Sequence, residues 1–148
     1  IMSINAVKAV EIGEGFSSAE KFRSQSHDEI IVKKELLFRK TNRAGGIEGG
    51  VSTGLPIIVR AAMKPIATLM SPIESVNLST MKKVDARRER SDFVAVPACA
   101  VIAESMLAWF IAKYFLHKFG GDSLEELKDN YSSYNKKLYG RIKNNFKS

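Results

Sequence analysis

Cysteine and histidine are almost missing from this chain. The one cysteine, Cys99, excludes an intramolecular disulfide and a thiolate metal cluster, and it fits a reducing compartment. The two histidines, His27 and His117, lie far apart in sequence. No Gly-x-Gly-x-x-Gly fingerprint occurs, and no glycine stretch continues into the Gly-Lys-Ser/Thr that opens the helix of a P-loop. Internal repeats and low-complexity segments are lacking. No cationic leader with an apolar run and small-residue cleavage site opens the chain. It starts at Ile1-Met2-Ser3-Ile4, already apolar, and reads as a piece cut from something longer.

What is present describes a globular protein. Of the 148 residues, 45% are hydrophobic and 26% charged, enough for one domain with a core. The net charge of +7 calls for an anionic partner: a phosphorylated metabolite, nucleic acid or a membrane surface.

Glycine is concentrated. Five of the ten glycines (Gly45, Gly46, Gly49, Gly50 and Gly54) fall between Thr41 and Thr68. Glycine takes positive φ without steric cost and admits a close neighbour. Two readings fit the paired glycines: a cradle for a flat or phosphorylated ligand, or two tight hairpin turns. From Leu55 to Lys64 the residues alternate. Leu55, Ile57, Val59, Ala61 and Met63 share one face, and Ile58, Arg60, Ala62 and Lys64 share the other. This period predicts a half-buried strand that delivers two cations, Arg60 and Lys64, beside the glycine-rich turn. Pro65 ends it.

The rest of the chain alternates between strand and helix signals. A strand is predicted within residues 1–12 around Val7, Val10 and Ile12, ended by Gly13 and Gly15. Ser17-Ser18-Ala19-Glu20 has capping-box spacing and predicts a helix from Ser18 to Arg23. Ser24 to Asp28 reads as loop, in which His27 is either an acid-flanked base or a solvent-exposed or capping residue. Ile30 to Arg39 reads as one strand, and Ser75 to Thr80 as another. Lys82, Lys83, Arg87, Arg88 and Arg90, mixed with acids, read alone as a solvated face or loop.

The segment from Pro97 to Lys118 predicts an apolar helix opened by proline and closed by Gly120-Gly121. It is long enough for a bilayer, but Glu104 near its centre favours a core helix in a soluble protein, with a backbone amide or arginine as the partner of Glu104. After an Asp122 or Ser123 cap, Leu124, Leu127, Tyr131, Tyr134, Leu138 and Ile142 recur at helical spacing. Lys128, Lys136, Lys137, Arg141, Lys143 and Lys147 give that helix a basic surface. It reads as an RNA-binding face or as an ordinary amphipathic helix with cations toward its C-terminus.

Three segments in order resemble chorismate synthase. They are Met2 to Lys8 with Glu11-Ile12-Gly13-Glu14-Gly15-Phe16; Ser26-His27-Asp28-Glu29 followed by Asn42 to Gly50 and on to Lys64-Pro65; and Arg90-Ser91-Asp92 leading to Val96-Pro97 and Glu104. The likeness runs from Ile1 to about Leu116, and the tail after Gly121 matches no motif. Ser91 stands where many members have histidine, Phe93 where a proline or small residue is usual, and Ala9 in place of a common glycine.

The resemblance implies that residues 1–148 are the C-terminal portion of one chorismate synthase domain. The N-terminal motifs with two catalytic histidines and several arginines are absent. It implies an α+β fold, antiparallel β-sheets sandwiched with α-helices, in a cytoplasmic homotetramer. It implies a lyase of aromatic amino acid biosynthesis (the shikimate pathway) that removes phosphate and a ring proton from 5-enolpyruvylshikimate 3-phosphate by 1,4-elimination. Reduced FMN is required without net redox change; it lends electron density and accepts the proton at N5. By resemblance, Asn5, Ala6, Gly49, Lys64, Pro65, Ile66, Ala67, Thr68 and Arg90 contact FMN. Arg90 also faces substrate, and Asp92 manages the proton near flavin N5. The run from Lys82 to Arg90 then becomes an active-site loop. No metal, nucleic acid or membrane is implied. The other readings are a flavin- or phosphate-binding module without activity and a basic RNA-binding protein. The second calls for aromatic platforms on strands, and the strands predicted here carry only Phe38.

Overall fold

The computed structural model describes residues 1–33, 36–66, 71–86, 88 and 94–145. The architecture is α+β: small antiparallel sheets in the first part and two long helices in the second.

The first strand, β1 (Val7–Ile12), pairs antiparallel with β6 (Val59–Met63), with Val7 opposite Met63 and Ile12 opposite Val59. The register slips between Val7 and Ala9, a bulge at the start of β1. The alternation read from Leu55 onward holds except at Ala61, which is exposed. Leu55, Ile57, Val59 and Met63 are partly covered while Ile58, Arg60, Ala62 and Lys64 are exposed, although only Val59–Met63 is paired strand. Val7 is the buried residue of β1 and, with Cys99, the apolar core of the described residues.

Between these strands the chain differs from expectation. Ser17 does not cap a helix beginning at Ser18. Its hydroxyl donates backward to the Glu14 carbonyl (2.8 Å), and Gly15–Glu20 winds as a 3₁₀ turn. The segment read as loop holds one helical turn, α1 (Arg23–Ser26). The single strand expected over Ile30 to Arg39 is a hairpin, β2 (Ile30–Lys33) with β3 (Leu36–Arg39). The residues there come in blocks, Ile30-Ile31-Val32 and Leu36-Leu37-Phe38 around the charged Lys33-Lys34-Glu35, and that charged break was the local sign of two strands rather than one. The glycine stretch forms a second hairpin, β4 (Ile47–Glu48) with β5 (Val51–Ser52), turned by Gly49-Gly50. A third joins β7 (Glu74–Asn77) to β8 (Lys82–Asp85).

That third hairpin corrects two expectations. The strand around Val76 stops at Asn77, whose side-chain carbonyl accepts the Ser79 and Thr80 amides (2.9 and 3.1 Å) and makes the turn. Met81 follows at φ +53. Lys82 and Lys83, read as the start of a loop, are strand residues, and Lys83 pairs across the hairpin with Glu74.

The helices are α2 (Val96–Phe119) and α3 (Leu124–Asn145). Pro97 sits in the first turn of α2, as expected. The Ser123 hydroxyl caps α3 by accepting the Glu126 amide (3.1 Å), and the Glu126 carboxylate accepts the Asp122 amide (2.9 Å). At the other end of the connection, the Asn130 side-chain amide donates to the Phe119 and Gly120 carbonyls (both 3.0 Å) and closes α2. Phe115, Phe119, Tyr131 and Tyr134 join the helices, with ring centroids 4.8 to 5.4 Å apart, and the Lys118 ammonium lies 4.1 Å from the Tyr134 ring centre.

The apolar helix is not the buried core helix expected. Cys99 is its one buried residue, and Val101, Trp109 and Tyr114 are 63 to 73% exposed. By length and composition alone it is also long and apolar enough to cross a membrane. Glu104 is exposed and forms no ion pair or side-chain hydrogen bond among the described residues, contrary to the partner expected for it. Composition states what surface a helix presents, not what covers it.

Candidate functional site

The glycine-rich segment is built around a backbone-on-backbone contact. The Gly13 amide donates to the Ile58 carbonyl (2.9 Å), the Ile58 amide to the Gly45 carbonyl (3.1 Å), and the Glu14 amide to the Arg43 carbonyl (2.8 Å). Gly13 and Gly45 sit at φ +61 and +66, and a β-carbon on either would fall on the other's backbone segment. Here glycine is required twice over, by conformation and by space. Gly49 and Gly50 differ. They form the two-residue turn between β4 and β5, at φ +56 and +77, with open space where a side chain would stand.

One carboxylate ties this segment together. Asp28, the buried charged residue among those described, accepts the Thr41 hydroxyl (2.5 Å) and the Arg43 and Ala44 amides (2.8 and 2.9 Å). Burial acts to raise its pKa. The Ala44 amide, the Thr41 hydroxyl, the Arg43 amide and the Arg39 charge together outweigh burial and hold the carboxyl below its ordinary range. Asn42 adds a second clamp: its side-chain oxygen accepts the Gly46 amide (2.8 Å) and its side-chain nitrogen donates to the Pro56 carbonyl (2.9 Å).

A cleft of about 510 Å³ opens beside this contact, lined by Gly13, Ser17, Asn42, Arg43, Ile58 and Arg60 among others. Its cations are already engaged. Arg60 pairs with Glu11 (2.7 Å) and donates to the Gly13 and Glu14 carbonyls (3.0 and 3.2 Å). Arg43 donates to the Gln25 carbonyl and lies 3.6 Å from Glu14, which also pairs with Lys21 (2.7 Å). The other Glu14 oxygen is buried with no hydrogen-bond partner among the described residues. Glu11 and Glu14 thus offset the two arginines that line the cleft.

The site residues expected from the sequence separate into groups. Ala6 and Lys64 come together: the Lys64 amide donates to the Ala6 carbonyl (2.7 Å), with Asn5 and Pro65 adjoining in sequence. Ala6 is at φ +65, uncommon for a residue with a side chain. The Lys64 ammonium is exposed and has no carboxylate partner among the described residues. Lys64 therefore does not stand beside the Gly45-Gly46 turn. That turn packs at the Ile58 end of β6 and Lys64 lies at the Met63 end, six residues away, or about 20 Å along an extended chain. Arg60 is the cation that the strand brings to the turn. Gly49 belongs to the β4–β5 hairpin, and Ile66 is exposed just past Pro65. Ala67, Thr68, Arg90 and Asp92 lie outside the described residues. His27 is exposed, in line with the solvent-exposed alternative.

Two residues that organise the site escaped sequence reasoning, Asp28 and Arg39. Asp28 stood in an acid-rich loop with no local mark, because its partners lie 13 to 16 residues further on. Arg39 read as a strand end. Its guanidinium spans two groups, donating to the Asp28 carbonyl (3.1 Å) and pairing with Glu48 (2.5 Å).

The chain was compared with known proteins. The family model described as chorismate synthase matches residues 1–116. A protein named chorismate synthase from Thermoanaerobacter pseudethanolicus is 55% identical over 135 residues, 90% of this chain and 39% of that protein. One of the same name from Sulfurihydrogenibium sp. is 57% identical over 137 residues, 90% of this chain and 35% of that protein. A crystal structure of chorismate synthase superposes with a TM-score of 0.71 at 41% identity, over 97% of this chain and 34% of that one. The chain thus spans little more than a third of the length of these relatives.

Proposed function

The chain belongs to the chorismate synthase family, and from that premise we propose that it forms the C-terminal part of an enzyme that converts 5-enolpyruvylshikimate 3-phosphate to chorismate by 1,4-elimination of phosphate. The observation that carries the reading is the family match over residues 1–116. It gains support from a strand end, Ala6 with Lys64, whose chemistry suits a phosphorylated ligand.

FMN fits these residues. Lys64 is exposed, has no carboxylate partner among the described residues, and its backbone is joined to that of Ala6, so a cation is available at this strand end to meet an anion. On this reading Asn5, Ala6, Lys64, Pro65 and Ile66, with Ala67, Thr68 and Arg90, hold the cofactor, and the open Gly49 turn leaves it room. Reduced FMN, when bound, supplies transient electron density and a proton acceptor. The chain's own part is to bind, orient and neutralise. Lys64 offsets phosphate charge, Arg90 faces the leaving phosphate where negative charge develops, and Asp92 holds or steers the ring proton. The whole protein is taken to act as a cytoplasmic homotetramer, without nucleic acid or membrane as partner. RNA binding by the basic tail has less support, because the predicted strands carry only Phe38 as an aromatic platform.

The test uses a full-length chorismate synthase carrying these residues. With saturating substrate and reduced FMN under anaerobic conditions, Asp92→Asn is expected to lower kcat about 10² to 10⁴-fold, the usual span for a positioned acid or base, with FMN affinity kept. An unchanged kcat would remove Asp92 from the chemistry. A lower melting temperature and weaker FMN binding at full rate would make it a loop-shaping residue.

A further inference from the structure

A β-carbon on Gly49 or Gly50 would meet nothing among the described residues, yet the β4–β5 arm carrying them is bridged on one side by a charged side chain. Arg39 donates from one guanidinium nitrogen to the Asp28 carbonyl (3.1 Å) and from the other to the Glu48 carboxylate (2.5 Å). Glu48 is the residue immediately before Gly49 and pairs in the hairpin with Val51. Asp28 is itself fixed by three hydrogen bonds to Thr41, Arg43 and Ala44. The residue that carries the buried Asp28 carboxylate is thus linked through one planar fork to the residue next to the turn. At its base the hairpin is closed by the Thr53 amide donating to the Gly46 carbonyl (2.9 Å) and tied to Asn42, whose side-chain oxygen accepts the Gly46 amide (2.8 Å). The two central glycines, with positive φ and open space around them, have no steric reason of their own to hold one orientation.

We propose that Arg39 is a positioning residue: its bridge from Asp28 to Glu48 sets the orientation of the Gly49 turn and so tunes cofactor affinity without touching the cofactor. The inference rests on the reading of Gly49 as a flavin contact. Arginine suits the task because two donors in one rigid plane reach two acceptors at once, which lysine cannot do. The bridge is only partly exposed, with Arg39 and Glu48 side chains 24% and 37% accessible, so it is less screened than a surface pair.

The experiment compares Arg39→Met, Arg39→Lys and Glu48→Ala in a full-length chorismate synthase carrying these residues. Two readouts are needed: amide hydrogen exchange over residues 47–52, and FMN affinity by flavin fluorescence, with kcat at saturating FMN alongside. The expected result for Arg39→Met is faster exchange in that hairpin with β1 and β6 unchanged. FMN should bind about tenfold more weakly, because binding would then have to order a turn that the bridge no longer holds, and kcat should be retained at saturation. Arg39→Lys should fall between, and Glu48→Ala should add little to Arg39→Met if both break one bridge. Unchanged exchange in Arg39→Met would overturn the proposal. Faster exchange with unchanged FMN affinity would also overturn it if Gly49→Val still weakens binding, because the turn would then bind without the brace. If Gly49→Val is equally silent, the reading of Gly49 as a flavin contact fails, and the proposal fails with it.

Discussion

Between Val7 and Lys64 the backbone is held by bonds that cross long stretches of sequence: Gly13 to Ile58, Glu14 to Arg43, Asp28 to Thr41 and Ala44, Lys64 to Ala6. Between Val96 and Leu138 the holding contacts are those of a helical hairpin, four aromatic rings and an asparagine cap, with most of the apolar surface of α2 bare. Apart from one Glu14 oxygen, the buried side-chain polar groups described in the first region are paired internally. The second presents apolar surface outward. Stability should therefore be concentrated in the first, and substitutions in the two regions should differ sharply in cost.

The largest effect is expected at Asp28. Asp28→Ala strips the acceptor from one hydroxyl and two amides and should destabilise the fold by roughly 3 kcal/mol or more in urea unfolding, since each abandoned buried donor costs about 1 to 3 kcal/mol. Its pH dependence follows from the depressed pKa. The contribution is full above the ordinary value of 3.8 and drains as pH falls through the lower folded-state value. A wild-type acid limb that Asp28→Asn leaves unaltered would contradict this.

Next is the contrast within the glycine stretch. Gly45→Ala must force a β-carbon into the Gly13 backbone at positive φ, and should cost about 3 kcal/mol from strain and overpacking together. Gly49→Ala meets nothing and carries only the left-handed penalty, about 1 to 2 kcal/mol. Equal midpoints for the two variants in chemical denaturation would erase the distinction between a packed and an open glycine pair.

Sequence showed part of this contrast. Alternation from Leu55 and the apolar residues around Val7 gave both strands of the main pair, and Pro97, Gly120 and Ser123 marked the helix ends, because these signals are local. Asp28 was illegible because its meaning depends on Thr41 to Ala44 returning to it. The charged break after Val32 was overlooked when Ile30 to Arg39 was read as one strand, and Lys64 was assigned to the wrong end of its strand. Asn5 to Lys8 and Asn42 to Gly50 pointed to the family through their order, which carries no geometry.

In the helical region the expected costs are smaller. Asn130→Ala removes two hydrogen bonds at the end of α2 in an exposed setting, worth about 1 kcal/mol, read as loss of helical circular dichroism at lower urea. Trp109→Gln, at a side chain 73% exposed, should change stability by less than about 0.5 kcal/mol. A loss of more than about 2 kcal/mol would show α2 covered in solution and break the comparison.

The measurement closest to the central claim, that the Ala6–Lys64 end of the strand pair holds a phosphorylated cofactor, is an FMN titration of Lys64→Ala in a full-length chorismate synthase carrying these residues. Lys83→Ala, at an exposed lysine paired with Glu74 on the β7–β8 hairpin, serves as the control. The account predicts FMN binding weakened about 10- to 100-fold by Lys64→Ala, the loss of one charge-assisted contact, and unchanged by Lys83→Ala. Equal FMN affinity in Lys64→Ala and the unsubstituted enzyme would contradict it.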